Sequence, residues 1–418
     1  MFLLSYIDVF LSFSFFAVIL FIWLAKEKES PNNTILFIIL FFLFILIELI
    51  SMEASFLQVP KDSISYFEAA SEIAESGFNE NVIYDKIKPG ISNWGVNIYT
   101  LIEAVLVYVF FPNYSFLHIF NIFLVVITIF YSTRICRLLF GYGCFKYVLL
   151  GYLIYFALYW HVLQNLREAP LLFFMILGLL HYILWWKYGN SKNKALAIVF
   201  GICSILFRPE NVLLFIAIIS LTSLLKRKTT YKKIVSLFII ILPLIFIAIH
   251  LSFQFTGNDI LRAINASRSI RQAGMGGYQL TDENFSSYTE LILEFPTTLR
   301  FFYLPLLPWE ISTGLIYFKA YIHSLSTLIL LIFSIVGFKR IHFNLKFNNV
   351  KKKLIILFIS FIFMSILYSF ADIGAGSSSR HSTFFFFLLL STYFPYGAKY
   401  FFEKLLINKN KIFIPPIK

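Results

Sequence analysis

Residues 34–52 read TILFIILFFLFILIELISM, a nearly continuous run of apolar side chains. The hydrocarbon core of a bilayer is about 30 Å thick and takes about 20 apolar residues in helical form, so this run predicts a membrane-spanning helix. Runs of similar length recur along the chain of 418 residues, which is 59% hydrophobic and 20% aromatic. The sequence therefore predicts an all-α polytopic membrane protein with a single transmembrane domain over residues 1–418.

Twelve apolar runs are present, of which about eleven are expected to span the membrane. They lie near residues 2–24, 34–52, 97–112, 116–133, 147–163, 170–187, 195–207, 211–225, 234–254, 318–338, 353–370 and 383–398. The first run is expected to be a retained helix, because no basic segment precedes it and it is too long for a signal peptide.

Lys and Arg are bunched in short connections between the apolar runs, and the formal net charge is +13. Connections of this kind face the cytoplasm, so the basic balance reports orientation and no nucleic-acid partner is expected. The other connections then lie outside. Two of them are long, a first outer loop at residues 53–95 and a second outer loop at residues 255–311. The abundance of Phe, Ile, Asn and Lys favours a bacterial source, and hence the cytoplasmic membrane of a bacterium.

Residues 97–112 are expected to form a re-entrant or surface-lying helix. A helix of this length covers only about 24 Å at 1.5 Å per residue, and it contains Glu103. With the first outer loop outside and the basic connection after residue 133 inside, only one of the runs 97–112 and 116–133 can cross, and the second is the better span. The alternative is that both cross and the first two helices are inverted, which would place Asp62 in the cytoplasm.

The runs 195–207 and 211–225 are each shorter than the hydrocarbon core, and they meet at Arg208, Pro209 and Glu210. Ionisable side chains at membrane depth are costly unless they are paired or line a wet cavity, so they are candidates for a functional site. The alternative is an Arg208–Glu210 ion pair that closes a tight hairpin.

Ionisable residues in or beside the apolar runs are concentrated on the expected outer side. They are Asp62, Arg167, Glu168, Arg208, Glu210, Arg262, Arg268, Arg271, Glu310, Arg380 and His381. A cavity with a carboxylate and several guanidinium groups suits a phosphate-bearing lipid, because Arg binds phosphate through two hydrogen bonds and keeps its charge when desolvated. The carboxylate would then act as a base. When Asp62 is considered without the other residues, the alternative is that it is an ordinary solvated residue of a loop.

Five short motifs follow one another along the chain. They are Asp62-Ser63 with Tyr66, Leu166-Arg167-Glu168, Phe207-Arg208-Pro209-Glu210, Pro305 with Pro308-Trp309-Glu310, and residues 376–381. In this order they resemble the C-type (GT-C) membrane glycosyltransferases. They are most similar to the branch that contains protein mannosyltransferases and lipid A aminoarabinose transferases, and the likeness covers most of the chain.

The resemblance implies a helical bundle whose first outer loop holds the catalytic acid, here Asp62, and a sugar donor carried on polyprenyl phosphate. Asp62 would accept the proton of an acceptor hydroxyl that attacks the anomeric carbon with inversion. The residues expected to bind the substrate are Arg167, Glu168, Arg208, Glu210, Arg268, Arg271, Arg380 and His381. The arginines would stabilise the charge on the departing lipid phosphate. The acceptor would be a cell-surface glycan or lipid, and neither a metal nor another cofactor is expected.

Two features distinguish this chain from that family. Many members have a second acid directly after the first, whereas Ser63 occupies that position here. Members generally have one helix before the acidic loop, whereas two helices are expected here.

Two other functions stay open. An O-antigen or capsule repeat-unit polymerase, which transfers an oligosaccharide from polyprenyl pyrophosphate, would also have arginines in large outer loops. A polysaccharide transporter or flippase would be expected to show matched halves and charges on both sides of the midplane. The early acid, followed by the Arg-Glu and Pro-Trp elements, favours the transferase.

Overall fold

The computed structural model describes residues 6–53, 61–87, 94–110, 113–141, 144–163, 166–208, 211, 214, 218, 261–262, 264–265, 285–305, 315–343, 348–371 and 375–412. These ranges contain helices and no strand. The chain divides into two compact units, Met1–Leu138 with Ala157–Val212 (unit 1) and Leu139–Phe156 with Leu213–Lys418 (unit 2). The single transmembrane domain stays a prediction.

The helices of the described ranges follow one another in this order. They are α1 (Tyr6–Lys26), α2 (Pro31–Glu53), α3 (Lys61–Glu75), α4 (Glu80–Lys86), α5 (Trp94–Val109), α6 (Tyr114–Phe140), α7 (Phe145–Ile154), a π-helical turn (Leu158–Val162), α8 (Glu168–Tyr188), α9 (Ser191–Phe207), α10 (Tyr288–Leu293), α11 (Phe295–Tyr303), α12 (Leu315–Phe343), α13 (Asn348–Ala371), α14 (Ala375–Ser391) and α15 (Tyr393–Ile412).

Five helical segments in the described part of the chain are long and apolar enough to cross a membrane. They are Ile7–Lys26, Pro31–Ile50, Tyr114–Phe140, Glu168–Tyr188 and Phe318–Phe343. The predicted class, an all-α membrane protein, is confirmed in this form. The count of about eleven spans stays a prediction, and the run at 234–254 lies outside the described residues.

Helix α6 forms the centre of unit 1. In the most apolar 18-residue stretch of α6, 89% is buried, whereas in that of α1 only 28% is buried. Helix α1 instead exposes Phe10, Phe21 and Ile22, large side chains suited to contact with lipid tails. On its other face, Phe16 packs against Phe116 and Phe123 of α6, with ring centroids 5.1 Å apart in both pairs.

Ion pairs join the turn between α1 and α2 to the C-terminal part of α6. Arg134 pairs with Glu27, and Arg137 donates hydrogen bonds of 2.6 and 3.2 Å to the two carboxylate oxygens of Glu29. These contacts place the α1–α2 turn and the basic end of α6 at one end of the unit. If the α1–α2 turn and the basic end of α6 both face the cytoplasm, as the positions of Lys and Arg predict, they have to lie at the same end of the unit.

In the segment at residues 53–95, predicted as the first outer loop, the described residues contain α3 and α4. The stretch from Ser65 to Ser76, followed by Gly77, predicts a short helix, which is present as α3 and begins four residues earlier, at Lys61. It ends before Gly77, which has a φ of +64°, a left-handed conformation that glycine adopts without steric cost. Ala70 of α3 packs against Ala104 of α5 in a small apolar cluster, so α5 holds α3 against the rest of unit 1.

Helix α5, which covers most of the run at 97–112, lies beside the N-terminal end of α6. The rings of Phe110 and Phe116 lie 5.5 Å apart, and Tyr99 accepts a hydrogen bond from Asn121. Its length of 16 residues corresponds to about 24 Å. The re-entrant or surface placement of α5 stays a prediction.

Helices α8 and α9 form a hairpin. The chain turns at Gly189, whose φ is +71°, and α9 begins after Asn190, whose side chain accepts a hydrogen bond of 2.8 Å from the amide of Lys192. The opposite end of the hairpin carries Glu168 in the first turn of α8 and Arg208 directly after α9.

In unit 2, α12 and α15 cross at two glycines. A Cβ atom on Gly337 would lie 2.0 Å from the carbonyl oxygen of Tyr393, and one on Gly397 would lie 1.9 Å from that of Phe333. Only glycine permits this approach, a packing mode that membrane helices often use.

Candidate active site

Asp62 lies in the first turn of α3 and is exposed. A carboxylate is favoured there because the N-terminal end of a helix carries a partial positive charge. The residues that face the interior from the same helix are Ser63, Tyr66 and Phe67, all buried. Asp62 is therefore presented by the outward face of a packed helix and not by an irregular loop.

Ser63 and Tyr114 fix the start of α3 to the start of α6. Their hydroxyl groups share a buried hydrogen bond of 2.6 Å. The ring of Tyr114 also packs edge-on against Phe67, with centroids 5.6 Å apart. Ser63, expected beside Asp62 in an open outer loop, is thus an interior residue.

A chain of contacts runs from α3 through α5 and α6 to the start of α8. The rings of Tyr66 and Tyr99 lie 5.7 Å apart. Asn121 donates one hydrogen bond of 2.8 Å to the Tyr99 hydroxyl and another of 3.1 Å to the carbonyl oxygen of Leu166. Asn121 is fully buried, so it connects the helix of Asp62 with the Leu166-Arg167-Glu168 motif inside the unit.

Glu168 and Arg208 form a buried ion pair. Arg208 Nη2 donates to Glu168 Oε1 at 2.7 Å, and the two side chains are 3% and 0% exposed. The structure thereby joins two motifs that are 40 residues apart in sequence. Removal of two charges from water is compensated only by close pairing, and this pair holds the open end of the α8–α9 hairpin together. Glu210, the alternative partner for Arg208, lies outside the described residues.

Arg167 lies next to this pair and is half-buried. Its Nη1 donates to the carbonyl oxygen of Phe207 at 3.3 Å. The start of α5 reaches the same place, because a Cβ atom on Gly95 would lie 1.8 Å from that oxygen and 2.8 Å from Arg167 Nη1. A glycine at position 95 is therefore needed for α5 to approach the end of α9.

A cavity of about 220 Å³ lies between α5, α6, α8 and the end of α9. Its walls are mostly apolar and include Leu117, Phe173 and Phe207, together with Tyr99 and Glu103. A cavity of about 150 Å³ lined by apolar side chains suffices for benzene, so this space can take a short hydrocarbon segment.

The sequence reasoning missed a second buried pair of ionisable residues, Glu48 of α2 and His118 of α6. His118 Nε2 lies 3.8 Å from Glu48 Oε2, and both side chains are less than 5% exposed. The signal was present in the sequence, because an ionisable residue inside an apolar run of this length is costly and is a functional candidate by default. Glu103, noted only for its effect on span length, is buried as well.

The other predicted site residues either lie in unit 2 or lie outside the described residues. Arg380 and His381 lie on α14 of unit 2, both partly exposed, and the ring of His381 stacks on Tyr368 with centroids 4.8 Å apart. Arg268, Arg271 and Glu210 lie outside the described residues. Unit 1 therefore brings together the helix of Asp62 with Arg167, Glu168 and Arg208.

No group of three or more His, Cys, Asp or Glu side chains that could hold a metal ion occurs among the residues that the structure describes. The described part of the site offers one exposed carboxylate, guanidinium groups and an apolar cavity.

No known protein family, no curated protein and no solved structure matches this chain. The class that the structure defines is an all-α membrane protein, and its function has to be argued from the geometry of the site.

Proposed function

We propose that the protein is a membrane glycosyltransferase that moves a sugar from a polyprenyl-phosphate carrier to a glycan or lipid acceptor on the outer face of a bacterial cytoplasmic membrane. One observation carries the proposal. The helix that exposes Asp62 is connected through Tyr66, Tyr99 and Asn121 to the point where Glu168 and Arg208 form their buried pair. A carboxylate and two arginines thus belong to one packed polar region of unit 1.

In the proposed reaction the acceptor hydroxyl oxygen attacks the anomeric carbon of the donor sugar. The bond between that carbon and the phosphate oxygen breaks, and its electron pair leaves with the lipid phosphate. Asp62 takes the hydroxyl proton as a general base, which requires hydrogen-bond reach in the loaded state. Direct displacement inverts the anomeric centre.

In this proposal, arginine side chains bind the lipid phosphate. Arg167 is half-buried beside the Glu168–Arg208 pair and is the guanidinium in unit 1 best placed to meet an incoming phosphate. Arg208 is turned toward Glu168, so in this state it stabilises the hairpin end. Substrate-binding roles for Glu210, Arg268, Arg271, Arg380 and His381 belong to the same proposal; those of Glu210, Arg380 and His381 rest on their sequence motifs, and those of Arg268 and Arg271 on their place in the predicted second outer loop.

The proposed donor has a hydrocarbon chain, and this explains why the protein that binds it would lie in a membrane. The apolar cavity beside Tyr99 and Glu103 has the size and lining for a segment of a lipid chain. It lies between the same helices that connect α3 to α8, so a lipid tail held there would keep its phosphate near this region.

The central test is Asp62→Asn, with Glu68→Gln as its matched control. Glu68 is an exposed carboxylate on the same helix. The assay is transfer of radiolabelled sugar from short-chain prenyl-phosphate sugars, with hexose, N-acetylhexosamine and pentose tested in turn, to membranes of a strain that lacks the gene. Loss of a general base lowers the rate by about 10²–10⁴-fold. Glu68→Gln should retain wild-type activity, whereas Asp62→Asn with more than about a tenth of it would remove Asp62 as the base.

Orientation is tested independently of activity. In a background in which Cys136, Cys144 and Cys203 are replaced, Ser65→Cys on the exposed face of α3 should react with an impermeant thiol reagent added to intact cells. Lys26→Cys, at the end of α1, should react only after permeabilisation. The reverse pattern would place Asp62 in the cytoplasm and overturn the proposal.

A further inference from the structure

The hydrogen bond between Ser63 and Tyr114 ties α3 to α6 directly beside Asp62. Ser63 is fully buried and Tyr114 is 6% exposed. Their oxygens lie 2.6 Å apart although the residues are 51 positions apart in sequence. The bond connects the first turn of α3 to the first residue of α6, which is the most buried helix of the unit.

The direction of Asp62 depends on that contact. Successive residues of an α-helix are rotated by about 100°, so a helix that turns Ser63 inward turns Asp62 toward another face. The first turn of a helix has no intrahelical partners for its amide groups and is prone to fray. A buried side-chain bond at Ser63, the third residue of α3, opposes that fraying directly beside Asp62.

The ring of Tyr114 is packed against two other rings. It lies 5.6 Å from that of Phe67 and 6.1 Å from that of His118, measured between centroids. The hydroxyl can therefore be removed by Tyr114→Phe while the ring keeps its neighbours. This makes the hydrogen bond separable from the packing around it.

We propose that Ser63 and Tyr114 are positioning residues for the transfer reaction, which hold the first turn of α3 so that the Asp62 carboxylate is aimed at the acceptor hydroxyl. The inference rests on the proposed function, since it assigns Asp62 the role of base. Misplacement of a reacting group by about 1 Å can lower a rate by about 100-fold, so a bond that fixes one turn of helix is sufficient to affect catalysis.

The test compares Tyr114→Phe, Ser63→Ala and the double variant in the prenyl-phosphate transfer assay. Each single variant should lower kcat by about tenfold, because Asp62 is less well aimed, and should leave KM for the donor within about twofold. The double variant should be no worse than either single variant, because both remove one bond. Ser63→Ala also keeps the test available if Tyr114→Phe inserts poorly.

Matched controls exist in the same region. Ser71→Ala makes the same change two turns further along α3, at a hydroxyl that has no hydrogen-bond partner among the described residues. Tyr108→Phe makes the other change at an exposed tyrosine of α5. Both should keep wild-type kcat.

A second measurement needs no catalysis. Asp62→Cys, in the background free of other cysteines, is labelled with an impermeant thiol reagent with and without Tyr114→Phe. Loss of the anchor should change the labelling rate severalfold, whereas Tyr108→Phe should not.

The outcomes separate this inference from the proposed function. If Asp62→Asn is inactive but both anchor variants keep wild-type kcat, the positioning role is overturned and the proposed function stands. If the variants only reduce the amount of folded protein, with kcat per folded molecule unchanged, Ser63 and Tyr114 are structural and the inference is overturned. If Asp62→Asn is itself active, the proposed function fails whatever the anchor variants show.

Discussion

The two ends of unit 1 use the same kinds of side chain in different surroundings. Glu168 and Arg208 are paired in the interior, with side chains 0% and 3% exposed. At the other end, Glu27 and Arg134 are paired with side chains 26% and 40% exposed. The first pair lies near Asn121, close to the start of α6, and the second lies about 20 Å further along that helix at 1.5 Å per residue.

The comparison indicates that the exposure of an ion pair to water, more than the distance between its charged atoms, decides how much the loss of one partner costs. A buried pair gains little over apolar residues of equal size, yet it becomes costly when one partner is removed and the other stays buried. An exposed pair is weak and is screened by salt. The Glu168–Arg208 pair is buried, the Glu29–Arg137 pair is partly buried with side chains 9% and 14% exposed, and the Glu27–Arg134 pair is more exposed, so a graded response to single substitutions is expected.

The largest effect on stability is expected from Glu168→Ala. This change leaves the Arg208 guanidinium buried without its carboxylate, which costs about 3–5 kcal/mol of unfolding free energy. Thermal unfolding of the purified protein in detergent measures the loss, and Glu27→Ala is the exposed control, with about 0–1 kcal/mol expected. A loss below about 1 kcal/mol for Glu168→Ala would mean that water reaches the pair.

The double variant Glu168→Leu with Arg208→Met sharpens this result. Replacement of a buried ion pair by apolar side chains is often neutral for stability, so most of the lost free energy should return. If transfer activity stays absent while stability returns, the pair has a functional role beyond the hairpin.

Arg208→Lys comes next in size. The charge and the pairing with Glu168 are kept, so a loss of about 1 kcal/mol of unfolding free energy is expected. The planar fork is lost, and at a phosphate site kcat should fall by about 10²–10³-fold, the usual effect of removing one donor to a developing negative charge. Normal kcat with normal stability would assign Arg208 to the hairpin alone.

The fold class and the local elements could be read from the sequence, because they depend on local patterns. Apolar runs predicted membrane helices, and the helix that ends at Gly77 was found from its polar composition and its glycine. The distribution of basic residues predicts that Arg134 faces the cytoplasm, and this orientation stays a prediction. Each of these signals lies within about 20 residues of sequence.

The pairing within the site could not be read in this way. Arg208 was expected either to bind phosphate or to pair with Glu210, and the structure gives it Glu168, a partner 40 residues away. Ser63 was expected in an open outer loop because hydroxyl residues are mostly exposed, and Tyr114, 51 residues away, buries it. Such contacts depend on which helices pack together, and no local pattern contains that information.

A smaller effect is expected from Glu29→Gln, at the end of unit 1 opposite the Glu168–Arg208 pair. Burial would raise the pKa of Glu29, but hydrogen bonds from Arg137 and Asn33 outweigh burial and lower this pKa below its ordinary value of 4.5. A lowered pKa stabilises the fold above about pH 4.5, and this contribution is lost as the pH falls through the folded-state value. Glu29→Gln should therefore cost about 0.5–1 kcal/mol at pH 7.

The pH and salt dependence of Tm provides the check on Glu29. The difference between wild type and Glu29→Gln should be largest at neutral pH and low salt, and it should shrink in acid and in high salt. A difference that stays constant down to strongly acidic pH would mean that the Glu29 carboxylate is not the group responsible.

The smallest effect is expected from Glu72→Gln, on the outward side of α3. Lys86 of α4 lies 2.6 Å from the Glu72 carboxylate, and the side chains of Glu72 and Lys86 are 53% and 27% exposed. The hydrogen bond that Lys86 donates to Glu72 raises the pKa of Lys86 above its ordinary 10.5, so any stabilisation is complete at pH 7 and is lost only as the pH rises through the folded-state value. Because solvent and salt screen a pair this exposed, Glu72→Gln should leave Tm and kcat unchanged within error at neutral pH. A fall in Tm as large as that of Glu29→Gln would show that exposure does not rank the ion pairs of unit 1, and it would indicate that α4 stabilises α3 more than its packing implies.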